Sequence, residues 1–97
     1  MTVLVNPDTP APRCTQVQPE QALRVVNTTD ALDQPGRTVV VRFADRRPAT
    51  LAVGESIVYA TPFGRYLARG VHHVHLSAYP GSGGAEIYLR QAMTVTD

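Results

Sequence analysis

Three of the side chains that could bind a metal ion lie close together in the sequence, at His72, His73 and His75. Alternate residues of a strand point to opposite faces, so His73 and His75 share one face and His72 points with Val74 towards the core. Two imidazoles on one face can chelate Cu or Zn, and Glu86 would be the third ligand. The alternative is a polar outer face plus one hydrogen-bonded core histidine, because two imidazoles alone make a weak site.

The single cysteine does not complete a blue-copper site with these histidines. That chemistry needs a cysteine and a histidine a few residues apart, with a weak axial methionine. Cys14 lies far upstream of every histidine, and Met93 follows the last predicted strand. We therefore expect Cys14 to be a free thiol packed among apolar side chains, because no motif supports a nucleophile there. The sequence predicts no catalytic residue and no cofactor.

A second candidate site uses the strand that follows the histidines. The register that keeps the apolar side chains of the last two strands on one face sets His75 opposite Tyr88 and His73 opposite Arg90. Tyrosine and arginine are typical anchors of protein interfaces. The pattern predicts that these four side chains form a surface that binds a protein or a peptide, and the alternative is an ordinary cross-strand pairing.

The composition argues against several function classes. The formal net charge is +1, and all nine basic residues are arginine, so there is no strong field for nucleic acid. No apolar run approaches the roughly 18–20 residues that span a bilayer, which predicts no transmembrane segment. The carboxylates are scattered over turns and strand ends, unlike the paired carboxylates of a glycoside hydrolase. Residues 81–84 lack the lysine and the following helix of a phosphate-binding loop.

The elements that position these residues are short strands separated by turns. Alternating, β-branched segments recur about every eight to twelve residues, and no window has convincing helical periodicity. About six or seven strands predict an all-β fold, an antiparallel two-sheet β-sandwich, with a small barrel as the alternative. In the last hairpin, Leu76 is expected opposite Ile87. The predicted strands are 23–27, 37–43, 49–53, 55–60, 71–78 and 85–90.

The chain is long enough for one domain. Residues 1–13 are rich in proline and are expected to form a flexible segment. The β-sandwich is expected to occupy residues 14–93, and residues 94–97 are expected to form a C-terminal tail.

Several short motifs resemble those of known sandwich domains. Residues 51–56 (LAVGES) resemble the L-x-P-G-E-S turn of bacterial immunoglobulin-like domains, and residues 67–74 (LARGVHHV) resemble their later L-x-P-G-x-Y-x-V element. Residues 23–29 followed by 39–43 are similar to the first strands of small envelope-associated domains. The resemblance implies an immunoglobulin-like or a cupredoxin-like sandwich, and it implies no activity.

These observations rank three functions. The first is a non-enzymatic binding module of a bacterial secreted or envelope protein, using His73, His75, Tyr88 and Arg90, with the cytoplasm as the alternative compartment. The second is a metal-binding accessory protein for Cu or Zn, using the His72–His75 strand with His73, His75 and Glu86 as ligands. An enzyme, such as a hydrolase, is third. The sequence leaves the oligomeric state open.

Overall fold

The structure, a computed structural model, describes residues 1–31, 35–79 and 83–90. Nine strands form in this part of the chain and make two sheets. No helix in the described ranges is long and apolar enough to cross a membrane. The strands are β1 (Thr2–Val5), β2 (Pro10–Ala11), β3 (Cys14–Val17), β4 (Leu23–Asn27), β5 (Val39–Phe43), β6 (Ala49–Leu51), β7 (Ser56–Tyr59), β8 (Gly70–Leu76) and β9 (Gly84–Leu89).

Both sheets are mixed rather than purely antiparallel. One sheet has the order β2-β1-β4-β7 and the other the order β3-β9-β8-β5-β6. The parallel pairs are β1 with β4 and β3 with β9, and the other pairs are antiparallel. The prediction of an all-β sandwich is confirmed, and the prediction that its sheets are antiparallel is wrong. Both parallel pairs use strands from the first 17 residues, where no hairpin signal could be read.

The core forms because apolar residues alternate with polar ones along the strands. In β4, Leu23 and Val25 are fully buried and Arg24 between them is exposed; in β5, Val39 and Val41 are buried in the same way. Burying one such side chain contributes about 1.5–3 kcal/mol before the entropy of ordering it is subtracted. The alternation thus fixes which side chains of each strand remain at the surface.

The N-terminal segment belongs to the sandwich. Val3 and Val5 of β1 are fully buried, and β1 pairs in parallel with β4 over its whole length. The prediction that residues 1–13 are a flexible extension is therefore wrong for Thr2–Val5. A strand with two inward valines has too little periodicity to stand out beside a proline-rich stretch, and its partner β4 is distant in sequence.

An aromatic cluster fills the core where the chain crosses between the sheets. The predicted loop of residues 61–70 contains a short 3-10 turn, Phe63–Arg65, and Phe63 is fully buried. Phe43 lies at the centre, with its ring centroid 6.2–6.3 Å from those of Tyr59, Phe63 and Tyr66. These tilted and edge-to-face arrangements are the ones that aromatic quadrupoles favour.

Replacing Tyr66 with phenylalanine is expected to leave the free energy of unfolding unchanged or to raise it by up to about 1 kcal/mol. The Tyr66 hydroxyl is buried and has no hydrogen-bond partner among the described residues, and burial raises its pKa. The substitution keeps the ring, over which the Arg46 guanidinium lies at 4.6 Å from the centroid. Urea unfolding followed by circular dichroism measures the change, and a clear loss of stability would contradict the prediction.

Candidate binding face of the five-stranded sheet

The predicted site residues lie on the outer face of the five-stranded sheet, which we call the histidine face. Alternation along each strand places these side chains away from the core, and most of them are exposed. Across the sheet from β3 to β6, the face consists of Cys14, Gln16, Gly84, Glu86, Tyr88, Val71, His73, His75, Val40, Arg42 and Thr50.

The register of the β8–β9 hairpin differs from the predicted one. Ile87, expected opposite Leu76, lies opposite His72, a shift of four residues along β8. The shift is even, so every side chain keeps its predicted face. The predicted strand 71–78 is too long at its end: β8 ends at Leu76, and Gly84, the first residue of β9, pairs with His75. Because Gly84 has no side chain, the two strands can run on close to the turn.

The three histidines divide between the two faces as predicted. His72 is half-buried on the inner side, and its Nε2 lies 2.7 Å from the carbonyl oxygen of Ala68. His73 and His75 lie side by side on the outer face, with ring centroids 6.1 Å apart. Their neighbours across the sheet therefore decide what they can bind.

Those neighbours are not the predicted ones. His73 lies opposite Glu86, where Arg90 was expected, and His75 lies opposite Gly84 on one side and Arg42 on the other. The correction exchanges a cation for a carboxylate beside His73. As the side chains stand, no three histidine, cysteine, aspartate or glutamate residues in the described part of the chain are arranged to hold a metal ion.

Cys14 belongs to the same face. It lies on β3 directly opposite Glu86, and its side chain is exposed, so the prediction of a thiol packed among apolar groups is wrong. The signal that could have located it is the buried Val17, since alternation back from Val17 turns Thr15 inward and Cys14 outward. The proline-rich stretch that precedes these residues hides the start of the strand, so their alternation predicts no strand by itself.

A surface depression of about 410 Å³ lies where these strands meet. It is lined by Arg13, Cys14, His73, Gly83, Gly84 and Glu86. Two of the lining residues, Gly83 and Gly84, lie at the start of β9 and have no side chain. Four different functional groups therefore line the same depression: a thiol, an imidazole, a carboxylate and a guanidinium.

The other predicted site residues lie nearer the open end of the hairpin. Tyr88 pairs with Val71 on one side and with Gln16 on the other. Val71 is 61% exposed and Tyr88 is 38% exposed, and Arg90, just beyond β9, is exposed as well. The structure thus separates His75 from Tyr88 and His73 from Arg90, while His73 stays diagonal to Tyr88 as in the predicted register.

Tyr79 does not contribute to this surface. Its side chain is buried, and its hydroxyl donates a 2.7 Å hydrogen bond to the carbonyl oxygen of Asn6. Burial raises the pKa of Tyr79 to about 12. This hydrogen bond links the turn after β8 to the N-terminal segment, so the role of Tyr79 is structural.

Comparison with known proteins supports the fold alone. No family model and no curated protein matches the sequence. The chain is similar in structure to a Cu-containing nitrite reductase (NirK) from Thermus scotoductus SA-01, with a TM-score of 0.62 and 15% sequence identity. The match covers 96% of this chain but 23% of that protein. The domain therefore has a cupredoxin-like β-sandwich fold, and the immunoglobulin-like alternative is not confirmed.

Proposed function

We propose that this domain is a non-enzymatic binding module, part of a bacterial secreted or envelope protein, that binds an acidic peptide segment. The observation that supports the proposal is the exposed apolar and aromatic pair of Val71 and Tyr88, with Arg90 beside it. An exposed aromatic next to an aliphatic side chain and an arginine has the composition of an interface anchor.

The charges of the histidine face favour an acidic partner. Arg13, Arg42 and Arg90 lie on or beside the face and are all exposed, against one carboxylate, Glu86. The excess of positive charge is local, because the whole chain carries a formal net charge of +1. Arginine also holds carboxylates by paired hydrogen bonds, so acidic residues flanking an apolar one would match this surface.

Selection of a displayed random-peptide library on the purified chain tests the proposal. We expect enrichment of peptides in which aspartate or glutamate flanks an aromatic or aliphatic residue. For a selected peptide, Tyr88→Ala should weaken binding at least about tenfold, because Tyr88 is the aromatic anchor. The dissociation constants are measured by fluorescence anisotropy of the labelled peptide.

The matched control is Val58→Ala on the outer face of the other sheet. Val58 is 57% exposed, so the variant removes a similar exposed apolar group at a distance from Tyr88. It should leave peptide binding unchanged. If Val58→Ala weakened the binding of the selected peptides and Tyr88→Ala did not, the binding surface would lie on the other sheet. That result would overturn the proposal.

A metal-binding accessory role is the second candidate function. The corrected register favours it, since it places Glu86 instead of Arg90 opposite His73. A carboxylate beside an imidazole attracts a cation, whereas an arginine repels one. This candidate uses the part of the histidine face next to the peptide-binding surface, on the side of the hairpin turn.

A further inference from the structure

Strand β7 forms a free edge of the four-stranded sheet. It is the last strand in the order β2-β1-β4-β7, and β4 is its only partner among the described residues. A strand in this position carries a row of backbone N–H and C=O groups that can pair with another chain. The edge of β7 is therefore a place where a second chain can extend the sheet.

The hydrogen bonds to β4 identify the residues of β7 that point to the free side. The backbone nitrogen of Asn27 donates a 2.9 Å hydrogen bond to the carbonyl oxygen of Glu55. In an antiparallel pair, hydrogen-bonded residues alternate with non-hydrogen-bonded ones. Every second residue from Glu55 onwards therefore bonds to β4, and the N–H and C=O groups of Ser56 and Val58 point away from it. Within the described part of the chain, these groups have no backbone partner.

The side chains along this edge are small or apolar and carry no charge. Val58 is 57% exposed, and Ser56 and Ala60 on either side of it are exposed as well. Natural edge strands are commonly protected from pairing by a charged residue or a proline. Residues 56–61 (SIVYAT) contain neither. The edge thus combines free backbone groups with an exposed aliphatic side chain and lacks the usual protection.

We propose that a second copy of this chain pairs antiparallel with β7 about a two-fold axis at Val58, so that the two four-stranded sheets join into one continuous sheet. Val58 then lies opposite Val58 of the second copy, and Ser56 lies opposite Ala60 of the second copy. A two-fold axis brings the same surface of both copies together, so an apolar residue on the axis meets its own match. The proposal concerns the sheet that does not carry the peptide-binding surface, and it does not depend on that surface.

The charges near the axis permit this approach. Arg24 of β4 is the neighbour of Val58 in the sheet. Adjacent strands lie about 4.8 Å apart, so the Arg24 positions of the two copies would be three strand spacings, or about 14 Å, apart. That distance exceeds the Debye length of about 8 Å at physiological ionic strength. The carboxylate of Glu55 accepts a 2.7 Å hydrogen bond from the backbone nitrogen of Ala52, in the turn before β7.

The dimer is expected to be weak. Stable interfaces bury about 800 Å² of each partner, and a four-residue strand provides only part of that area. We therefore expect a dissociation constant on the order of 100 μM. Sedimentation velocity from about 10 μM to about 1 mM covers this value, and the average mass should rise from that of one chain towards that of two.

Charge substitutions on the axis test the proposed pairing. In Val58→Lys, and equally in Val58→Glu, two like charges would lie directly opposite each other, so each variant alone should stay monomeric over the whole concentration range. When the two variants are mixed in equal amounts, opposite charges face each other and a mixed dimer should form. Position 58 is exposed, so both variants should fold, which circular dichroism checks.

Thr50→Lys is the matched control. Thr50 is an exposed β-branched residue on β6, the edge strand of the other sheet, and this variant should dimerise as the wild type does. Tyr88→Ala should dimerise too, so this proposal and the peptide-binding proposal can fail separately.

Three results would overturn the proposal. The first is a wild-type chain that stays monomeric at the highest concentration. The second is a dimer that persists in Val58→Lys or is lost in Thr50→Lys, which would place the interface elsewhere. The third is a mixture of Val58→Lys and Val58→Glu that stays monomeric, because position 58 would then not face itself across the axis.

Discussion

Replacing Asn27 with alanine is expected to lower the free energy of unfolding by about 3–4 kcal/mol. Asn27 is fully buried, and its Nδ2 donates to the carbonyl oxygens of Arg37 and Leu51 at 2.8 and 2.9 Å. Its Oδ1 accepts from the backbone nitrogen and the hydroxyl of Thr29 at 3.0 and 2.8 Å. Alanine removes all four bonds; the Arg37 carbonyl and the Thr29 hydroxyl keep their bond to each other, but the Leu51 carbonyl and the Thr29 backbone nitrogen lose these partners, each loss costing about 1–3 kcal/mol.

The position of Asn27 explains why the loss should be global. It is the last residue of β4 in one sheet, and Leu51 is the last residue of β6 in the other. The side chain therefore joins the two layers by hydrogen bonds, in addition to the apolar contacts of the core. Its removal should destabilise the whole sandwich rather than fray one edge.

Thr28→Ala is the matched control, because Thr28 is the next residue and is only half-buried. Its hydroxyl donates one 2.8 Å hydrogen bond to the Oδ1 of Asn6, so its loss should cost about 1 kcal/mol. Urea unfolding of the wild type and both variants by circular dichroism gives the comparison. Equal losses in the two variants would contradict the role assigned to Asn27.

The sequence predicts the fold where a strand carries its own alternation. Leu23–Asn27 is confirmed residue for residue, and Val39–Phe43 lies inside the predicted 37–43 segment. In both strands the buried side chains are the ones that alternation assigns to a single face. Burial on one face is a local property, so it can be read without knowing the partner strand.

The sequence does not predict which strands pair in parallel. β1 reaches β4 and β3 reaches β9 across many intervening residues, and the energy of each pair depends on side chains that are distant in sequence. For the same reason, the local sequence of β1 predicts a flexible segment instead of a strand. The mixed character of both sheets follows from these two pairs.

In the candidate sites too, the local sequence predicts the face on which a side chain lies, but not its neighbours on other strands. Alternation predicts that His73 and His75 share the outer face, and the structure confirms it. Their neighbours depend on the register, which differs from the predicted one by four positions. Cys14 lies on the histidine face because β3 pairs in parallel with β9, and this non-local pairing cannot be read from the local sequence pattern.

Gly84→Ala is expected to destabilise the chain by about 3 kcal/mol or more. A methyl group at this position would overlap the carbonyl oxygen of Val74 and lie 3.0 Å from its carbonyl carbon. That carbonyl belongs to β8 in the middle of the five-stranded sheet, so it cannot move without disturbing the strand. The clash would push β9 away at the point where Gly84 pairs with His75.

Gly54→Ala provides the comparison for this prediction. Gly54 has a φ of +85°, and no atom lies within 4 Å of its added Cβ, so the substitution costs only the strain of left-handed backbone, about 1 kcal/mol. Denaturation gives the two stabilities, and amide NMR shifts should change along β8 and β9 in Gly84→Ala alone. If alanine at position 84 were as well tolerated as at position 54, the pairing of Gly84 with His75 would be wrong. The position of Glu86 opposite His73 would then be wrong as well, because it depends on the same strand pairing.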